Sequence, residues 1–217
     1  MPGFPETEFV VLDVETTGLS PRLGDRIVEI AALKIRGLQP AAEFHSLVNP
    51  RRPVPWRAVQ FHGITDDMLS RSPSADEVLP SFLEFAGEAV LVGHNLRFDL
   101  GFLDTELSRS QLKWKTPHSW VCTAKMARRL LPELGRYPLW ALARHFDIET
   151  LQQHRALSDV TLTFAVFLKL LQVAGRRDID DVFNLSRLFG RCRCVAAART
   201  TPEIKNSSRE KDVRISV

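Results

Sequence analysis

Apolar residues in the first part of the chain fall into three short extended runs. Phe9 to Val14 is a continuous apolar stretch broken only by Asp13, Arg26 to Ile35 is rich in Ile, Val and Ala, and Ala41 to Val48 alternates loosely with a polar break. Runs of this length and β-branched content predict strands. Turn signals separate them, Ser20-Pro21 and Gly24-Asp25 before the second and Gly37 to Pro40 before the third. The period then changes. Ala75 to Phe85 predicts a helix with Ser74 as its N-cap, Ala89 to Val92 a buried strand, and Leu96 to Leu107, Thr123 to Leu131, Leu139 to Phe146 and Leu157 to Leu171 four further helices. Strands first and helices interleaved later describe an α/β chain with a central mixed β-sheet flanked by helices. No internal repeat or low-complexity segment interrupts it.

Near the end, Ile179, Val182, Phe183 and Phe189 stand close to helical spacing within Asp178 to Phe189, with Gly190 as a stop. Arg191 to Val217 is polar, basic and poor in large apolar residues. The expected division is a domain over 1–174 and a basic C-terminal tail over 175–217.

Length and composition narrow the picture. The 217 residues, 44% of them hydrophobic, suffice for one core of ordinary domain size. Three cysteines, Cys122, Cys192 and Cys194, do not make a disulfide framework, and the pair Cys192 and Cys194 lacks two further ligands at finger spacing. The start has no basic region followed by an apolar run, and no stretch reaches about 18 uninterrupted apolar residues. A cytoplasmic chain with no membrane partner is expected. Net charge is +3, unevenly spread: 175–217 carries ten Lys+Arg against six Asp+Glu, the remainder 19 against 20. A body that is not basic still accommodates nucleic acid if its carboxylates bind divalent cations, because the ions reverse the local sign.

Three phrases carry the chemistry: FVVLDVETTGLS from Phe9 to Ser20, LVGHNLRFDLGFL from Leu91 to Leu103, and HRALSDV from His154 to Val160. Asp13 and Glu15 are two apart on an extended segment, so both carboxylates point to one face. Such a pair repels itself, and a divalent cation relieves the repulsion. Thr16, Thr17 and Gly18 turn the chain and offer N–H groups and hydroxyls to a sugar or phosphate, with Leu19 as an apolar edge for a base. On a helix starting near Leu96, Asn95 and Asp99 share a face at the N-terminal end. Phe102 and Leu103 read as core, Phe98 as core or a nucleotide contact, and His94 as a hydrogen-bonded structural residue. His154 sits in a polar loop just before a helix whose first turn holds Asp159, at a pKa range useful for a general base. Arg128-Arg129 and Arg176-Arg177 are candidate phosphate contacts, and Trp56, Trp114 and Trp120 candidate partly buried anchors.

Taken together, DVETTG, GHNLRFD and HRALSD resemble the three motifs of the DEDDh 3′→5′ exonucleases, the family that includes the proofreading subunit of bacterial replicative DNA polymerase. FHGITDDML, with His62, and VCTAKMARRLLP resemble two further family segments. The likeness runs from about Phe9 to Leu171. Pro138 and Trp140 depart from it, standing where small residues are usual, and the tail after Ala174 matches nothing in it. The resemblance implies a ribonuclease-H-like fold and two divalent cations, Mg²⁺ or Mn²⁺. Asp13 would bridge both ions, Glu15 and Asp159 would hold the one carrying the attacking water, Asp99 would hold the other, and His154 would take the proton. Substrate contacts would come from Thr16, Thr17, Gly18, Leu19, His62, Asn95 and Phe98.

Three functions follow from these residues. The first is a DNA exonuclease acting on single-stranded or frayed 3′ ends in proofreading or repair, with a DNA polymerase subunit as a candidate partner. The second is an exoribonuclease using the same five residues. The third is a catalytically silent nucleic-acid-binding module, which the intact acids disfavour.

Overall fold

A strand that is apolar on both faces needs cover on both sides, and the run beginning at Glu8 has it. The structure is a computed structural model that describes residues 4, 7–115, 118–149 and 155–191. Its elements in chain order are β1 (Glu8–Thr16), a 3-10 turn (Pro21–Leu23), β2 (Ile27–Arg36), β3 (Gln39–Leu47), α1 (Trp56–His62), α2 (Asp66–Leu69), α3 (Ala75–Ala86), β4 (Val90–Gly93), α4 (Arg97–Arg109), β5 (Trp120–Cys122), α5 (Thr123–Leu130), a 3-10 turn (Pro132–Leu134), α6 (Leu139–His145), α7 (Ala156–Gly175), α8 (Val182–Phe189) and β6 (Gly190–Arg191). The strands form one mixed sheet in the order β3-β2-β1-β4-β5-β6. β1, β2 and β3 pair antiparallel, β1 with β4 and β4 with β5 pair parallel, and β6 closes the far edge antiparallel to β5.

Side chains alternate across β1, and the alternation assigns them to two cores. Val10, Leu12 and Val14 pack with Leu79, Phe82, Phe102 and Leu103 from α3 and α4. Phe9 and Val11 face the other way, against Val160, Phe167 and Leu170 of α7 and Met126 of α5. Asp13 and Glu15 continue this second parity, so the strand period aims them toward the α7 side of the sheet. α7 is long and apolar enough to cross a membrane by length and composition. Its buried residues, from Ala156 to Ala174, are instead spent on the sheet and on neighbouring helices.

The predicted strands and long helices form within a few residues of their expected limits, and Ser74 with Glu77 makes a capping box at α3. The helix expected within 178–189 is α8. Leu185 and Phe189 are buried in the core, and β6 pairs with β5, so packing continues across the boundary drawn at residue 174. A Cβ at Gly190 would lie 1.6 Å from the Trp120 carbonyl oxygen, so only glycine allows that approach. Of the tryptophans, Trp120 is buried and Trp114 half-buried, but Trp56 is 69% exposed and anchors nothing. Arg177, though exposed, donates to the carbonyls of Arg129 and Leu130 at the end of α5. Cys192, Cys194 and the tail beyond Arg191 lie outside the described residues.

Candidate active site

β1, α4 and α7 meet at the C-terminal end of β1, and there the separated motifs come together. One carboxylate oxygen from each of Asp13, Glu15 and Asp159 lies within 4.8 Å of the others. They line a cavity of about 830 Å³ whose walls also include Asp99, Asn95, Phe98, Thr16, Thr17, Gly18, Leu19 and His62. Every substrate-contact residue expected from sequence therefore borders one cavity. His154 lies outside the described residues; the chain resumes at Arg155, directly before α7.

Asp99 stands beside the carboxylate trio. It is buried in the first turn of α4, and its Oδ1 accepts a hydrogen bond from the Val14 N–H at 3.1 Å, which ties α4 to β1. Asn95 is not on that helix, contrary to the common helical face expected for the two. It adopts a left-handed conformation with φ 64° ahead of Leu96, the residue that caps α4. It still reaches the cavity wall, from the turn rather than from the helix.

The electrostatics of the acidic cluster are adverse. Burial, followed by repulsion from Asp99, Glu15, Asp159 and Glu29, holds the Asp13 carboxyl well above the usual range. Burial and then Asp159, Glu29 and Asp99 push Glu15 up to about 8. Burial raises Asp99 to about 7, even though the backbone N–H groups of Val14 and Asp99 favour its ionised form. Clustered carboxylates that resist ionisation are the donor set a divalent cation satisfies, so the residues present fit the implied metals.

The turn after β1 is braced from within. Thr16 Oγ1 donates to the Gly18 carbonyl at 2.6 Å, and the Thr17 hydroxyl accepts from the Arg26 N–H at 3.0 Å and donates to Asp25 at 3.4 Å. Asp25 also accepts from the Ser20 N–H at 3.0 Å. A Cβ at Gly18 would lie 2.4 Å from the Asp25 carboxylate, so the glycine is needed for this close approach. The two threonine hydroxyls are thus occupied in shaping the turn that projects Leu19, which is 85% exposed. At the end of α1, His62 Nδ1 accepts from the Ile64 N–H at 3.0 Å. The neutral ring therefore carries its proton on Nε2, which is buried on the cavity wall beside the Thr16 backbone. Burial keeps this imidazole neutral by lowering its pKa. His94 is tied by Nδ1 to the Thr123 hydroxyl at 3.0 Å, and burial lowers its pKa to about 4.

Sequence reasoning missed several contributors. Glu29 is fully buried and sits opposite Glu15 in the β1–β2 register. It accepts from Arg155 Nη2 at 2.7 Å, from the Ala156 N–H at 3.0 Å and pairs with His45 Nε2 at 2.8 Å. Those partners overcome its burial and hold its pKa below the usual value. Glu29 thereby fastens the start of α7, one turn before Asp159. A lone carboxylate inside IVEIAA was the available signal. Phe61 and Trp140, 60% and 49% exposed, also border the cavity with Arg57. Trp140 stands just inside α6, whose N-cap is Pro138.

With this geometry in view, the likenesses to known proteins are specific. Residues 10–167 match the family model RNase_T, described as Exonuclease. The DNA polymerase III subunit epsilon of Aquifex aeolicus (strain VF5) is 38% identical over 183 residues, covering 83% of this chain and 89% of that protein. The DNA polymerase III PolC-type protein of Oceanobacillus iheyensis is 38% identical over 210 residues, 93% of this chain but 15% of that protein. The chain spans only 12% to 15% of the length of the PolC-type relatives. A solved structure of Exonuclease X in complex with 5′ overhanging duplex DNA superimposes with TM-score 0.63 at 30% identity, covering 77% of this chain and 93% of that one.

Proposed function

The chain belongs to the exonuclease family, and from that premise we propose that it removes nucleotides from the 3′ ends of DNA, releasing nucleoside 5′-monophosphates. Single-stranded or frayed 3′ ends are the substrates, and proofreading or repair in the cytoplasm, alongside a DNA polymerase subunit, is the role. The observation that carries this reading is the convergence of Asp13, Glu15 and Asp159 on the floor of a cavity wide enough for a nucleotide. The epsilon-subunit relative, matched over most of its length, favours DNA over RNA.

Asp13, Glu15 and Asp159 would hold divalent cations, two of Mg²⁺ or Mn²⁺, with Asp99 beside them. When bound, these would neutralise charge on the scissile phosphate and lower the pKa of a water. The chain's own residues do the rest. Leu19, Phe61, Phe98 and Trp140 present apolar surface to the terminal bases, and the braced turn at Thr16 to Gly18 fixes where the first of these stands. The buried Nε2–H of His62 supplies a donor to the sugar or phosphate. His154, next in the chain to the Glu29-bound Arg155, takes the proton of the attacking water.

Matched DNA and RNA oligonucleotides, single-stranded and mismatched at the 3′ end, test the proposal in Mg²⁺ or Mn²⁺ and in chelator. The expected result is metal-dependent release of 5′-monophosphates from free 3′ ends of DNA, with 3′-blocked strands resistant. Cutting of circular single strands would show an endonuclease, and a rate higher on RNA than on DNA would transfer the site to exoribonuclease action.

A further inference from the structure

Beside the carboxylate cavity lies a second one of about 600 Å³, bordered by Arg128, Arg136 and Tyr137. The two cavities share His94, Asn95 and Pro138, so a common lip divides them. Their charges are opposite. The first has four carboxylates on its wall; the second has no acid on its wall and two exposed arginines. Among the described residues no carboxylate pairs with either arginine. Arg128 is nevertheless held in place. Its guanidinium lies 5.7 Å from the Tyr137 ring centroid, and the Tyr137 hydroxyl donates to the carbonyls of Leu131 and Pro132 at 3.2 and 3.1 Å. An arginine stacked on a fixed ring loses less freedom when it binds an anion.

A strand whose end enters the carboxylate cavity carries further phosphates beyond the reach of ions held there. Attraction for the rest of the strand has to come from beside it, and the basic cavity is the neighbour across the lip. We infer that Arg128 and Arg136 hold phosphodiester groups of the digested strand upstream of the scissile bond. The contact is to backbone charge, so it is independent of base sequence. This inference rests on the exonuclease reading and adds to it a binding site outside the carboxylate cluster.

The test compares the full chain with the R128A/R136A variant on three substrates in Mg²⁺: a long single strand, a dinucleotide, and the p-nitrophenyl ester of a nucleoside 5′-monophosphate. The variant is expected to raise KM on the long strand about tenfold and to flatten the slope of log affinity against log salt by about 1.4, as two lost phosphate contacts to a single strand require. Turnover of the dinucleotide and the ester stays unchanged. Arg136→Glu, which leaves the Arg128–Tyr137 stack in place, is expected to move KM and salt slope in the same direction, with turnover of the dinucleotide and the ester again unchanged. An active variant with unchanged KM and salt slope on the long strand overturns the inference while leaving the exonuclease reading intact. A folded wild-type chain that hydrolyses none of the three overturns both. Unchanged strand kinetics with loss of an acidic protein partner would reassign the cavity to that partner, which also overturns it.

Discussion

Replacing Glu15 by Gln should stabilise the metal-free protein at alkaline pH and destroy its activity. Glu15 is 7% exposed, and burial together with Asp159, Glu29 and Asp99 moves its pKa from 4.5 to about 8. Across that interval the folded chain keeps a proton that the unfolded chain has released. Stability therefore falls as pH rises through it, being intact below about 4.5 and fully reduced above about 8. At roughly 1.4 kcal/mol per pH unit, the interval limits the loss to about 5 kcal/mol. Because burial and the carboxylates of Asp159, Glu29 and Asp99 share in the shift, and Arg155 opposes it, the part removed by one neutral replacement is about 2–3 kcal/mol.

The assay is urea unfolding of wild type and Glu15→Gln in chelator at several pH values. Subtracting the two curves cancels groups whose shifts Glu15 does not cause, among them His62 and His94. The difference should be near zero around pH 5 and grow to favour the variant by about 2–3 kcal/mol around pH 8.5. Excess Mg²⁺ should reverse the order, since a ligand that binds the folded chain stabilises it by mass action and the variant has lost a donor. A difference that stays flat with pH in chelator would refute the stored repulsion, whatever the activity of the variant.

The sequence showed most of the sheet because its first strands carry the signals that strand physics imposes. The β1 run reads as buried on both faces, and the spacing of Asp13 and Glu15 puts both on one side of it, where α7 brings Asp159. Elements that bury little were not legible. α1 buries only His62 and leaves Trp56 and Phe61 exposed, Phe61 on the cavity wall, so its hydrophobic period reports a surface instead of a core. Pro55 before it and Gly63 after it, with φ 75°, were the usable boundaries. α2, β5 and β6 have four, three and two residues, too short for any periodicity. Asn95 was misplaced because the i, i+4 spacing presumes a helix already begun, whereas a left-handed residue starts the turn. The Glu29 to Arg155 tie spans 126 positions and leaves no local pattern.

The remaining predictions concern the walls and supports of the site. Trp140→Ala should raise KM on oligonucleotides about tenfold with kcat little changed, as loss of one base–aromatic stack does; equal KM values would make Trp140 a bystander. His154→Ala should lower turnover by about 10² to 10⁴ at neutral pH and flatten the acidic limb of the rate profile; an unchanged profile would remove it as the base. Glu29→Ala sets two effects against each other. It relieves repulsion on Glu15, but it leaves the Ala156 N–H without its acceptor and the Arg155 fork unpaired. The lost hydrogen bonds win, because they already hold the pKa of a fully buried carboxylate below its usual value. Breaking a buried pair costs about 3–5 kcal/mol, and Arg155, 32% exposed, recovers part of this from water, so about 2–3 kcal/mol of stability should go. An acid with a lowered folded pKa contributes its stability above its unfolded pKa and loses it as pH falls through the folded one, so the gap between wild type and variant should close on acidification. Turnover should drop as well, since the start of α7 and with it Asp159 lose their tether. A Glu29→Ala chain matching wild type in both urea midpoint and kcat would mean that α7 is positioned by its apolar face alone.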